Sequence, residues 1–308
     1  MKINLQSISS KLILGGLAAV LIPLIVVGYL SFSKAQTALM NVSKVQAQGI
    51  ASDLARMTYN TLQSEMDKAS TLATQKAIVD LATSVKTSGV ESSGSQAENV
   101  YNSLKRQFVK LGDHYQGIYI ADSNGQIFNG VLKNGDVYKG INIANGEYFQ
   151  RAKDSGGAVI SEMTISKATG KNIIMACAPI KSNSGAFLGV LGTVIDADEF
   201  SGLISERKIG QTGYGYMIDQ KGLILAHPKI ENIMKLDVTS IGDMASINKH
   251  MMAGETGVEQ YVFKETPKIA GFAPVGVNGW SIGATQDQIE FLAASNSIRN
   301  SNILVALV

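Results

Sequence analysis

Asp196 closes an apolar run, residues 190–195, at the end of a predicted strand. A carboxylate there is costly to bury unless something pairs with it. A ligand ammonium would do so through a charge-assisted hydrogen bond, and so would the backbone of a short helix over residues 197–203 with Asp196 as its N-cap. The two roles are compatible. Tyr119, Met163, Ile165 and Met175 fall on nearby predicted strands, and alternation would turn all four towards the same pocket, although it turns half of any strand inward for packing alone. Tyr148 and Phe149 sit on a predicted helix, where an aromatic pair either meets a ligand or simply packs the helix on a sheet.

Signatures of catalysis are missing. The chain has no H-E-x-x-H, no G-x-S-x-G and no Gly-rich phosphate loop ahead of a helix, and His114, His227 and His250 lack metal-ligand spacing. Asp122-Ser123-Asn124-Gly125 resembles the start of a calcium loop, but the later glutamate is absent and a hairpin turn accounts for it. Neither an enzyme nor a metal or cofactor site is expected. Lys and Arg total 27 against 25 Asp and Glu, a net charge of +2, and no basic stripe is interleaved with aromatics, which argues against nucleic acid. The single cysteine, Cys177, lies inside the apolar run 173–180 and is expected as a small core residue.

The elements that must hold these residues begin with an uncharged apolar stretch, residues 12–30, between Lys11 and Lys34. About 20 such residues cross a hydrocarbon core of about 30 Å. A cleaved secretory signal has a shorter apolar core and a small-residue cleavage site, so this stretch is expected as an uncleaved anchor, with Lys2 and Lys11 favouring a cytoplasmic start. Residues 33–85 contain no proline and one glycine, Gly49, and keep apolar positions three or four apart, predicting one long helix. A Ser- and Gly-rich loop over 86–96 and a shorter helix over 97–111 follow. Beyond Asp113 short apolar runs alternate with Gly, Asn and Asp, as in antiparallel hairpins.

Those runs repeat. Tyr119-Ile120-Ala121-Asp122-Ser123-Asn124-Gly125-Gln126-Ile127 lies over Tyr216-Met217-Ile218-Asp219-Gln220-Lys221-Gly222-Leu223-Ile224 without a gap, and Ala178-Pro179-Ile180 corresponds to Ala273-Pro274-Val275 at almost the same displacement. Two copies of one unit are therefore expected. Each is a hairpin, a connection with a helix, and three further strands. The fold class is α+β: a long N-terminal helix and two tandem modules, each with a central antiparallel sheet.

In this form the chain resembles the double Cache sensor domains of bacterial transmembrane receptors, most often methyl-accepting chemotaxis proteins. The likeness is carried by the segment from Gly210-Gln211-Thr212-Gly213 to Asp219, by 222–228, by Gly254-Glu255-Thr256-Gly257, by Phe272-Ala273-Pro274-Val275 with Gly279-Trp280, and by Glu147-Tyr148-Phe149-Gln150-Arg151-Ala152 with 170–196. It implies PAS-like sheets, with small molecules usually bound in the membrane-distal module. The amino-acid-sensing subset has an aspartate equivalent to Asp196 near the ligand amino group, and an Arg-x-Trp-Tyr motif whose Arg holds the carboxylate. Laying that motif on Tyr148 and Phe149 puts Gly146 in place of the Arg, leaving Arg151 one turn along as a substitute only for a different pose. The aromatic pair with Asp196 suits a cationic amine.

The expected organisation is a cytoplasmic start at 1–11, a membrane helix at 12–32, the long helix at 33–85 as dimer partner, a distal module at 86–200, a proximal module at 201–286, an exit helix at 287–302, and the start of a second membrane helix at 303–308. The expected function is the periplasmic or extracellular ligand-sensing region of a cell-membrane chemoreceptor. It would bind a small amine, amino-acid-like or other metabolite at Tyr119, Tyr148, Phe149, Arg151, Met163, Ile165, Met175 and Asp196. It would act as a homodimer and reach a cytoplasmic kinase and adaptor through a part beyond Val308. The rivals are the sensor of a histidine kinase or diguanylate cyclase, and an anchored scaffold or surface enzyme.

Overall fold

A computed structural model of the protein describes residues 8–290. The expected exit helix beyond Glu290, the segment 303–308 and the first seven residues lie outside the described residues. Helix α1 (Ile8–Ala73) runs through Pro23 and carries the apolar stretch. Within it an 18-residue window has a mean hydropathy of 2.5 and none of its residues buried, so it is long and apolar enough to cross a membrane.

The helix expected over 33–85 is broken. α1 ends at Ala73, Gln75 takes an extended conformation, and α2 (Lys76–Ser88) starts afresh. No glycine or proline marks the break. Tertiary contacts make it: the side-chain amides of Gln75 and Gln107 bond reciprocally at 2.9 and 3.1 Å, and α2 turns Ile78, Leu81, Ala82 and Val85 into the core. The predicted loop over 86–96 is shorter than expected, because α3 (Gly94–Leu111) starts early behind a turn in which Ser93 bonds Ser84 and the Gly89 carbonyl.

The first module contains β1 (Tyr115–Asp122), β2 (Ile127–Leu132), α4 (Glu147–Ser155), the two-residue strands β3 (Val159–Ile160) and β4 (Thr164–Ile165), then β5 (Asn172–Lys181) and β6 (Phe187–Asp196). α5 (Ala197–Ser205) leads to the second module: β7 (Lys208–Ile209), β8 (Gly213–Ile218), β9 (Ile224–Ala226), α6 (Ala245–Met252), β10 (Gly257–Phe263), β11 (Thr266–Pro274) and β12 (Ser281–Asp287). The sheets have one plan. The first runs β2-β1-β6-β5-β3, and the second pairs β9-β8-β12-β11-β10, all antiparallel. Each hairpin turns on the same chemistry. Oδ1 of Asp122 accepts from the backbone N–H groups of Asn124 and Gln126, and Oδ1 of Asp219 from those of Lys221 and Leu223, all at 2.8–2.9 Å.

Helix α1 lies across one face of both sheets, against β5 and β6 in the first and β11 and β12 in the second. Alanines set the spacing: Ala51, Ala55, Ala69 and Ala73 are buried in the shared core with Leu54 and Leu62. The opposite face of each sheet holds a separate apolar cluster, closed by α4 in the first module and by α6 in the second.

Beyond β12 the chain is latched to its own module. Glu290 accepts from the backbone N–H groups of Gln211 and Thr212 at 2.7 and 3.1 Å, and from the Thr212 hydroxyl at 2.8 Å. Burial pushes its carboxyl upward, but this is outweighed by these donors and the Gln286 amide, which hold it at about 2 against an ordinary 4.5. A depressed carboxyl stabilises the fold above its unfolded value and loses that contribution as pH falls through the folded one. The latch is therefore complete above about pH 4.5 and released towards pH 2. Amide exchange at Gln211 and Thr212, corrected for intrinsic rates, is expected to rise over that window, and at neutral pH in Glu290→Ala.

Candidate functional site

The outer face of the first sheet is the candidate site. β1 contributes Tyr119 and Ala121, β5 Ile173, Met175 and Cys177, and β6 Val190 and Val194; Phe149 and Ala152 of α4 close over them with Tyr138 and Ile143 from the long connection after β2. Tyr119 is fully buried. Its ring lies over Gly192, the facing residue on β6, where a Cβ would come within 2.2 Å of it. The Tyr119 hydroxyl is 3.0 Å from Sγ of Cys177 and donates towards Sδ of Met175 at 3.9 Å. The Tyr138 ring meets it edge-on with centroids 5.5 Å apart, and Phe149 meets Phe187 in the same manner at 6.0 Å.

Every titratable group on this face is held neutral. Burial raises the phenols of Tyr119, Tyr138 and Tyr148, with the Cys177 thiol adding to the effect, and burial pushes that thiol up to about 12. What remains is an aromatic, apolar surface with hydroxyl and thiol groups and no formal charge. Charge lies at its edge. Asp196, 6% exposed, is the N-cap of α5 through the Asp198 N–H at 3.1 Å; its other oxygen accepts from the Gln116 amide at 2.6 Å and from Nζ of Lys171 at 3.3 Å. Lys171 is the half-exposed partner of that pair.

Three of the expected site residues lie elsewhere. Ile165 is 61% exposed, and Met163 packs into the cluster on the α1 side of the sheets. Strand alternation fails at both, because β3 and β4 are two-residue fragments separated by an irregular 161–163, which resets the parity. Arg151 points out of the face towards the second module and bonds Asn278 Oδ1 at 2.8 Å. Tyr119, Tyr148, Phe149 and Met175 share the aromatic face, and Asp196 sits at its edge. Among the described residues no cluster of His, Cys, Asp and Glu suits a metal.

The family model of the Cache domain, dCache_1, matches residues 33–295. The chain belongs to the Cache family. A probable methyl-accepting chemotaxis protein of Bacillus thuringiensis is 24% identical over 298 residues, which cover 96% of this chain and 42% of that protein. The Cache chain thus spans about two-fifths of that relative's length. Its fold matches the extracellular domain of the putative histidine kinase mmHK1S-Z3, with a TM-score of 0.64 at 18% identity over 82% of this chain and 97% of that one. It also matches the sensory domain of the Campylobacter jejuni chemoreceptor Tlp3 with isoleucine bound, with a TM-score of 0.60 at 15% identity over 83% and 97%. Both modules are therefore PAS-like.

Sequence reading missed several residues of this Cache face. Cys177, Val190 and Val194 have the same parity as Met175 and Asp196 on their own strands, so alternation along β5 and β6 would have found them. Tyr138 and Ile143 had no such signal, because they come from an irregular connection that only the fold brings over the sheet.

Proposed function

We propose that this Cache chain is the extracytoplasmic ligand-sensing region of a transmembrane chemoreceptor, binding a small amine or amino-acid-like metabolite on the aromatic face of its first module. The observation that carries the reading is that face: a neutral aromatic surface closed by one short helix, with a single buried carboxylate at its edge. α1 supplies the membrane anchor and the surface for a second copy. The chain is a sensor and not a catalyst, and its signal goes to a cytoplasmic kinase and adaptor. Chemotaxis proteins among its sequence relatives favour that output, although the histidine-kinase sensor domain has the same fold.

The ligand ammonium takes the place of Lys171 on Asp196. Lys171 is long and half-exposed, so it swings into water at little cost, while the Gln116 and helix-cap bonds to Asp196 stay. Removing this competitor in Lys171→Met is expected to tighten an amine by about tenfold, and Asp196→Asn to weaken it by about a hundredfold, near the value of a charge-assisted hydrogen bond. The check is a thermal-shift screen of amines and amino acids on the full chain in detergent, where ligand at about 100 times its Kd adds about 2.7 kcal/mol. No shift from any of them, with the protein folded, rejects the reading.

A further inference from the structure

α4 faces two ways. Tyr148 and Phe149 pack on the aromatic face, while Arg151 leaves it. Nε of Arg151 lies 2.9 Å from Glu147 on the preceding turn, and its guanidinium donates to the Ile160 carbonyl and to Asn278 Oδ1. Asn278 stands in the turn between β11 and β12 of the second module, held at a φ of 51°. Its amide Nδ2 donates back across the boundary to the carbonyls of Ile160 at 3.2 Å and Ser161 at 3.0 Å. Trp280, fully buried two residues on, donates from Nε1 to Glu162 at 3.1 Å.

Both ends of this junction are tied to working parts. On the first-module side, Ser161 and Met175 exchange two hydrogen bonds: Ser161 N–H to the Met175 carbonyl at 2.8 Å, and Met175 N–H to the Ser161 hydroxyl at 2.9 Å. Met175 lies on the aromatic face beside Tyr119. On the second-module side, β12 begins at Ser281 and ends at Asp287, three residues before the Glu290 latch.

We infer that Arg151, Asn278 and Trp280 form a clasp through which a displacement of α4 on the aromatic face is delivered to β12, with Arg151 a positioning residue of the signal path rather than a ligand clamp. The planar guanidinium bonds in a fixed fork, so α4 cannot shift without either dragging the turn or leaving Asn278 Oδ1 without its donor in a partly buried place. The second course costs more than a small rotation of one module on the other. The inference takes its purpose from the sensor reading, but the coupling itself requires no ligand.

The chain has one tryptophan, Trp280, which makes the junction its own fluorescent reporter. The test perturbs the aromatic face by Tyr148→Ala in the full chain in lipid nanodiscs and follows Trp280 emission together with amide exchange over residues 276–287. The same substitution is then made in Arg151→Met and in Asn278→Ala. Expected is a change in 276–287 exchange of at least about twofold in the parent, an accompanying shift in emission, and loss of both in either second background. Equal changes in all three backgrounds overturn the clasp, as does altered exchange in the first module with none in the second. If Tyr148→Ala does not fold, Tyr148→Phe carries the same cycle. A thermal-shift hit without coupling overturns the clasp and leaves sensing; coupling without any hit does the reverse.

Discussion

Trp280→Ala is expected to lower the unfolding free energy by about 3–5 kcal/mol. Trp280 is the largest fully buried side chain of the fold and belongs to the core shared by α1 and both sheets, so its removal leaves a hole that the two modules must collapse around. Urea unfolding at neutral pH measures this. Trp280→Phe separates the packing from the polar contact, because it keeps most of the ring volume and loses only the Nε1 bond to Glu162. Burial raises the Glu162 carboxyl, and the indole N–H opposes that rise. The ionised form therefore loses more than the protonated form when the indole is removed. A raised carboxyl favours the folded state at low pH and loses that advantage as pH rises through its folded value, so the deficit of Trp280→Phe is expected to be smaller at pH 4 than at pH 7. An equal deficit at both would show that Glu162 is not the partner that matters.

The second large effect is expected from a methyl group. Gly271, on β11, faces α1 so closely that a Cβ would lie 2.1 Å from the Ala47 carbonyl oxygen and 2.5 Å from the Gln48 nitrogen. Both obstacles are helix backbone, and no rotamer change relieves them, so Gly271→Ala has to lift α1 off the second sheet. About 3 kcal/mol is expected, the upper end for overpacking, with amide exchange rising first over residues 44–51. Gly283→Ala is the control. Its obstacle is the Tyr216 ring, 2.3 Å away, a side chain that can move, and the expected cost is smaller. Should the two cost the same, the close helix approach is not what demands glycine at 271.

The apolar stretch of α1, the paired hairpins and the repeat were legible because each is local. Asp122 and Asp219 bond the backbone two and four residues ahead of themselves, so a short motif is enough to place the turn. The repeat also predicts that Tyr119 and Tyr216 are equivalent, and each ring does lie over a glycine on the facing strand, Gly192 and Gly283. The break at Gln75 was not legible, since Ala73, Gln75 and Lys76 are good helix formers, one Thr between them does not stop a helix, and the cause, Gln107, comes from another helix. Nor was the parity of Met163 and Ile165, which depends on where an edge strand stops pairing.

For the candidate site the division is the same. Which residues could carry a ligand's charge, Asp196 and Arg151, can be read along the chain, because charge is a property of the residue. What each charge meets depends on how the chain folds: Asp196 finds Lys171, Gln116 and the start of α5, while Arg151 is drawn to Asn278, 127 residues away. A hydrogen bond is made within about 3 Å, and no spacing along the chain states which distant element will arrive within that reach.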